Sequence, residues 1–332
     1  MLKTAEAVSL GHPDKTADYI SSYILDRCIE QDANVRYGVE VMVKSRTVVL
    51  GGEISGKVSL EFVEDYVRQA VREIGYDSRY AEIWGENAIN AESLRVLDLI
   101  SAQSAEIAQG VEADGWGDQG VFVGYACQGA GNIPLELYLA RRLCDALYQK
   151  AKFSDNLGLD IKTQITIDGD KIKTAVVAIP MKQHENLKKF IAEVLGQEPE
   201  RLIINGTGNY ICHSSMADCG ITGRKLACDF YETACPIGGG SPWTKDASKA
   251  DLTLNLYARR LAVQNLADCD EAFVYLSSCI GKSELLNAVL KTRKGTQFSE
   301  ENLNIESRPS ILIKQLGLNA PVFAGLCREG LF

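Results

Sequence analysis

Two stretches of this chain concentrate charge among glycines: Asp218-Cys219-Gly220-Ile221-Thr222-Gly223-Arg224-Lys225 and Gly238-Gly239-Gly240-Ser241-Pro242-Trp243-Thr244-Lys245-Asp246-Ala247-Ser248-Lys249-Ala250-Asp251. Glycine lets backbone amides approach an anion closely. Arg224, Lys225, Lys245 and Lys249 can neutralise several phosphate oxygens, and Asp251 can hold a metal. This is equipment for a polyphosphate. Near the start, Gly11-His12-Pro13-Asp14-Lys15 has the make-up of a helix N-terminus, where proline fits the first turn and free amides attract anions. His12 and Lys15 are candidates to meet a phosphate there and Asp14 to hold a metal. The competing reading is that Asp14 caps the helix. Gly51-Gly52-Glu53 reads as the end of a strand, either a tight bend or a contact point for a small ligand. Gly115-Trp116-Gly117-Asp118-Gln119-Gly120 satisfies GxGxxG in form, but a dinucleotide fingerprint follows a strand and opens a helix, whereas here a polar loop precedes and a strand-like run follows. No GxxxxGK[ST] loop occurs.

The elements that must position these residues follow from periodicity. Helical spacing of Ala17, Ile20, Ile24 and Cys28, and of Leu135, Leu139, Leu143 and Leu147, predicts amphipathic helices over 16–32 and 134–152; a third is predicted over 248–264. After the first, Val39, Val41 and Val43 alternate with Glu40, Met42 and Lys44 and lead through a short turn into 47–54, which reads as a hairpin. After the second, Ile161, Thr163, Ile165 and Ile167 alternate before an Asp-Gly turn and the run 172–179. Helix-like stretches follow at 60–74 and 185–195. After the third helix a strand recurs at 272–279, but its return strand is hard to see. The expectation is three related α/β units, the last eroded, over about 1–104, 112–211 and 212–332, interleaved in space. Glu40 with Lys44, and Lys162 with Gln164, share the hairpin faces opposite the valines and isoleucines, and face either solvent or a cavity within or between subunits.

Composition narrows the class. The chain has 332 residues, 46% of them apolar, enough for a large core and two or three domains. A net charge of −9 argues against a nucleic-acid partner, which needs a continuous basic surface. Residues 1–10 lack a cationic region followed by a long apolar run, and no stretch is apolar for long enough to span a bilayer, so no membrane partner and a cytoplasmic location are expected. The ten cysteines include no CxxC pair and read as small buried hydrophobes in a reducing compartment.

Taken in order, Gly11-His12-Pro13-Asp14-Lys15, Val39-Glu40, Gly51-Gly52-Glu53-Ile54, Gln103-Ser104, Gly117-Asp118-Gln119-Gly120, Lys162-Thr163-Gln164, Asn205-Gly206-Thr207-Gly208 and the two charged stretches resemble the S-adenosylmethionine synthetases, or methionine adenosyltransferases. The resemblance covers nearly the whole chain and implies three α/β units about a pseudo-threefold axis. It implies ATP and L-methionine as substrates, two magnesium ions and potassium. By resemblance the triphosphate lies among His12, Lys162, Arg224, Lys225 and Lys245, with Asp160, Tyr210, Asp218 and Ser241 completing the ATP site. Magnesium is held by Asp14 and Asp251, with potassium near Glu40. Methionine is placed by Glu53, Gln103, Asp118, Asp218 and Lys249. The sulfur attacks ribose C5′ and expels tripolyphosphate, which is then hydrolysed. A homodimer with intersubunit sites, pairing into tetramers, is implied as well.

The sequence departs from the usual family pattern in places. Asn209 stands where an arginine is usual, next to Tyr210, which can still stack on adenine. The segment from Gln103 to Asp118 is several residues shorter than usual, the Gly-Gly-Pro motif before the central Asp-Cys-Gly is replaced by His213-Ser214-Ser215-Met216-Ala217, and the tail is short, so the chain reads as a divergent, compact member. Two alternatives stand beside a synthetase: an impaired nucleotide-binding or regulatory homologue, and an ATP or tripolyphosphate phosphohydrolase. Retention of the charged set speaks against the first, and Glu53 and Gln103, which have no phosphate role, against the second.

Overall fold

The computed structural model describes residues 1–102 and 114–332. In chain order the elements are β1 (Leu2–Val8), α1 (Pro13–Gln31), β2 (Arg36–Lys44), β3 (Thr47–Ser55), α2 (Val63–Ile74), α3 (Ser78–Trp84), β4 (Arg95–Ala102), β5 (Gly120–Cys127), α4 (Leu135–Lys152), β6 (Lys162–Asp168), β7 (Lys171–Ala178), α5 (Lys188–Leu195) and β8 (Arg201–Ile204). They continue as β9 (Gly220–Ile221), α6 (Leu226–Asp229), α7 (Ala250–Gln264), β10 (Glu271–Ser278), β11 (Asn287–Lys294), β12 (Gln297–Asn302), α8 (Pro309–Gln315) and α9 (Phe323–Glu329).

Three four-stranded sheets share one plan, in the orders β4-β3-β2-β9, β8-β7-β6-β1 and β12-β11-β10-β5. Each is built on a hairpin, β2–β3, β6–β7 or β10–β11, and each hairpin takes a fourth, antiparallel strand from another third of the chain: β9, β1 and β5. A long helix covers each sheet, α1 on β2 and β9, α4 on β1 and β6, α7 on β5 and β10. This is the pseudo-threefold α/β arrangement expected from the repeat. The return strand that sequence obscured is β11, where only Leu290 is buried. In the first two units the last strand runs parallel to its neighbour after a helical crossover. In the third, a tight turn with Gly295 at φ +59° sends β12 back antiparallel and the helix is absent from that link, which is what the erosion consists of.

Alternation sorts the faces as predicted: Val39, Val41 and Val43 are fully buried with Ile20, Ile24 and Cys28, while Glu40, Met42, Lys44, Lys162 and Gln164 are exposed within the chain. Two expectations need correcting. Helix α1 is not amphipathic but buried on nearly all sides, because α2 and α9 pack on the side away from its sheet. Gly51 and Gly52 do not end a strand; β3 runs through them, and Gly52 faces the Gly38 carbonyl so closely that a Cβ would lie 2.0 Å from it. Residues 115–120 lead into β5 rather than a helix, as the rejected fingerprint required. All ten cysteines are free, seven of them buried. No helix among the described residues is long and apolar enough to cross a membrane.

Candidate active site

His12 is the N-cap of α1. Its Nδ1 accepts the Asp14 amide at 3.1 Å, so Asp14 is not the cap, and the neutral ring carries its proton on Nε2. Burial, then the charges of Lys162 and Lys225, hold the His12 pKa down to about 3. The imidazole is therefore a neutral hydrogen-bond donor set among cations. Asp14 is buried in the first turn of α1. Its Oδ1 accepts the Ile221 amide at 2.9 Å, its Oδ2 takes Lys225 Nζ at 2.7 Å, and Arg224 Nε lies 3.7 Å away. Burial works to raise the Asp14 pKa, but the bonds from Lys225 and Ile221 outweigh it and the carboxyl titrates below its ordinary range. Gly220 makes this possible: a Cβ there would fall 2.1 Å from the Pro13 carbonyl oxygen, so only glycine lets β9 lie against the start of α1.

Asp160 and Lys162 bring the second unit to the same place. Lys162 opens β6 opposite Val8 and Ala178 on the open sheet face. Asp160 Oδ2 accepts the Ser214 amide at 2.9 Å, while its buried Oδ1 has no hydrogen-bond partner. Burial lifts the Asp160 pKa to about 6, against the pull of the Ser214 amide and Lys162. Tyr210 is half-buried near Asp160; burial first, then that carboxylate, raises its pKa. Asp218 is exposed, its Oδ1 takes the Cys219 amide at 2.8 Å, and its charge reaches both His12 and Asp160. Thus His12, Asp14, Asp160, Lys162, Tyr210, Asp218, Arg224 and Lys225 converge.

A second group surrounds a cavity of about 380 Å³ lined by Gly38, Glu40, Glu53, Ser101, Lys245 and Lys249 among others. The glycine-rich loop is fastened beside β2: Asp246 accepts the Tyr37 amide at 2.8 Å and Lys245 pairs with Gly38 in a β-bridge. Asp251, in the first turn of α7, accepts the Gly240 amide at 2.6 Å and an ion pair from Lys245. Lys249 Nζ donates to the Tyr37 carbonyl at 3.4 Å. Ser241 takes the Trp243 amide at 3.3 Å and abuts Gly223. Asp118 accepts the Gln119 amide at 2.8 Å, and the Gly117 amide donates to Ser248 at 3.1 Å, which brings this turn beside Lys249. The two groups are joined through residues 220–225: Ile221 holds Asp14, and the Thr222 hydroxyl donates to Glu40. Gln103 lies outside the described residues.

Lys15 is the clear correction. It turns inward, buried, with Nζ 2.9 Å from both Asp229 oxygens, 3.2 Å from Asp18 and 4.7 Å from the Trp243 ring centre. It meets no phosphate; it ties α1 to α6 and to the glycine-rich loop, since Asp229 also accepts the Trp243 indole at 2.8 Å. Burial and the Asp229 charge lift the Asp18 pKa to about 7, with Lys15 opposing, and Asp18 holds the Gly223 amide at 2.8 Å. Of the residues not foreseen, only Asp18 left a local signal, its three-residue offset from Lys15 on one helix. The His/Cys/Asp/Glu trio that closes to within 4.8 Å is Glu6, Cys228 and Glu232, none of them proposed as a ligand; among the described residues Asp14 and Asp251 form no such cluster.

Known proteins match the whole chain. The S-adenosylmethionine synthetase N-terminal, central and C-terminal domain models match residues 1–105, 113–210 and 212–332. The chain is 32% identical over 365 aligned positions to an S-adenosylmethionine synthase of Helicobacter hepaticus, spanning 100% of this chain and 92% of that one. It is 33% identical, with the same coverage, to one from Nitratiruptor sp.. An unusual S-adenosylmethionine synthetase from Campylobacter jejuni superposes with a TM-score of 0.89 at 30% identity, over 100% of this chain and 94% of that one. Matched along its full length in sequence and in fold, the chain belongs to the S-adenosylmethionine synthetase family, the methionine adenosyltransferases.

Proposed function

We propose that the protein joins ATP and L-methionine into S-adenosylmethionine, with the methionine sulfur attacking ribose C5′ as the C5′–O bond breaks. Tripolyphosphate leaves and is hydrolysed to phosphate and pyrophosphate. The observation that carries the reading is the neutral His12, its Nε2–H free to donate, between Lys162 and Lys225. A thioether has no proton to lose, so the reaction needs no general base; it needs alignment and stabilisation of a departing polyanion. His12 donates to the oxygen that leaves C5′, and Lys162, Arg224, Lys225 and Lys245 meet the triphosphate. Tyr210, Asp160, Asp218 and Ser241 serve the nucleoside end. Glu53, Gln103, Asp118 and Lys249 place methionine.

The donor set fits magnesium. Asp14 and Asp251 are hard oxygen ligands, each with one oxygen on a backbone amide and the other on a lysine that can turn to phosphate, and Asp160 keeps an orphaned oxygen. Asp14 and Asp251 would hold magnesium, which would supply charge neutralisation for the leaving triphosphate. Glu40, beside Thr222, is the acidic oxygen for potassium.

A homodimer with shared sites, pairing into a tetramer, is supported by the open face of the first sheet. Register places Ile221, Met42, Val49 and Leu97 in a line across all four strands, with Glu40 two residues from Met42 and Glu53 farther along β3 on the same face. Met42, Leu97 and Ile221 are exposed at 39%, 40% and 36%, an uncovered apolar band next to functional carboxylates. The test is to incubate the protein with ATP, magnesium and potassium, with and without methionine, and to follow S-adenosylmethionine by mass spectrometry alongside released phosphate. Methionine-dependent product is expected; phosphate without S-adenosylmethionine sinks the synthetase reading.

A further inference from the structure

His213 lies in the loop leading from β8 towards β9. His213 is 1% exposed. Its Nδ1 donates to the Ile211 carbonyl at 2.7 Å, which leaves Nε2 as an acceptor, and the Tyr80 hydroxyl of α3 fills it at 2.6 Å. The same hydroxyl accepts the Leu159 amide at 3.0 Å. Leu159 precedes Asp160, and Ser214, which follows His213, donates its amide to Asp160 at 2.9 Å. The segments carrying Tyr210 and Asp160 are thus tied twice, once through a phenol and an imidazole and once through an amide and a carboxylate. Trp84 packs edge-on at 4.8 Å from the imidazole and dries the link. Gly158 packs against the ring as well: a Cβ there would lie 3.0 Å from His213 Nε2.

We infer that the Tyr80–His213 link is a positioning device for the nucleoside half of the site, fixing Asp160 and Tyr210 at the separation adenosine requires; this rests on the synthetase reading above. Arg224, Lys225 and Lys245 are held instead by the Cys219 carbonyl, Asp14 and Asp251, and make no bond to the link. The two ends of ATP therefore depend on separate supports.

Tyr80→Phe removes the hydroxyl at nearly constant volume and leaves the Leu159 amide and His213 Nε2 unpaired. Titration calorimetry with ATP and with tripolyphosphate is expected to show affinity for ATP falling about tenfold while tripolyphosphate binding changes less than twofold. In turnover, KM for ATP rises with kcat nearly unchanged. His213→Gln, whose amide oxygen reaches the place of Nε2, should keep ATP affinity; His213→Leu should lose it. Should Tyr80→Phe not fold, the two His213 variants give the same comparison. Equal weakening of both ligands, or unchanged ATP affinity in both Tyr80→Phe and His213→Leu, overturns the inference. A wild-type protein that binds neither ligand overturns the synthetase reading itself, and the inference with it.

Discussion

Lys162 is exposed at the start of β6, so its removal tests charge with little effect on packing. Lys162→Ala is expected to lower S-adenosylmethionine formation by about 10³-fold, the scale of one lost transition-state donor, with the melting temperature unchanged; near-normal turnover would remove Lys162 from the site. The buried histidines set a pH dependence whose sign is fixed. Burial holds His213 down to about 4 from an ordinary 6.5, so the unfolded chain binds its proton first. The stability this neutral ring preserves is complete above pH 6.5 and is lost as pH falls towards 4, at most about 3 kcal/mol. Asp18 and Asp160, raised to about 7 and about 6, act in the opposite sense, so the contribution is read by difference. His213→Gln should lose less melting temperature than wild type between those pH values; parallel curves would show that His213 is not held neutral. That the charged residues among glycines come together was legible, because their type and order alone group them. The inward turn of Lys15 was not, because its partner Asp229 lies 214 residues away and leaves no local trace.

At the scale of elements, the contact of β9 with α1 carries most of the site geometry. Gly220→Ala must push β9 off Pro13 and with it the amide that holds Asp14. A displacement of about 1 Å at such a point costs about 100-fold in rate. A drop of that size in kcat/KM with a native circular dichroism spectrum is the expected outcome, and wild-type kinetics would show that the contact does not set the site. Helices and hairpins were readable where side chains alternate against a core, as at Val39, Val41 and Val43. The strand β11 was not, because Lys291 to Lys294 follow a single buried leucine and its exposed partner β12 supplies no apolar face. The all-round burial of α1 was hidden too, since Asp14, Lys15 and Asp18 read as a solvent face until their partners are seen.

For the whole molecule, the uncovered band on the first sheet is what supports the proposal that self-association completes the site. Leu97→Asp places a charge in that band and is expected to weaken the dimer at least about tenfold, seen as a monomer by light scattering, and to reduce S-adenosylmethionine formation in step. A fully active monomer would show that each chain holds a complete site. A further consequence follows from the exchange of strands among the three sheets. The first sheet lacks its outer strand until residues 220–221 have been synthesised, and the first strand of the chain waits for β6 before it has a neighbour. No third of the polypeptide emerging from a ribosome can close its own sheet. Folding is therefore deferred until late in translation, and cutting the gene at the segment boundaries should yield fragments that need one another in solution to become native.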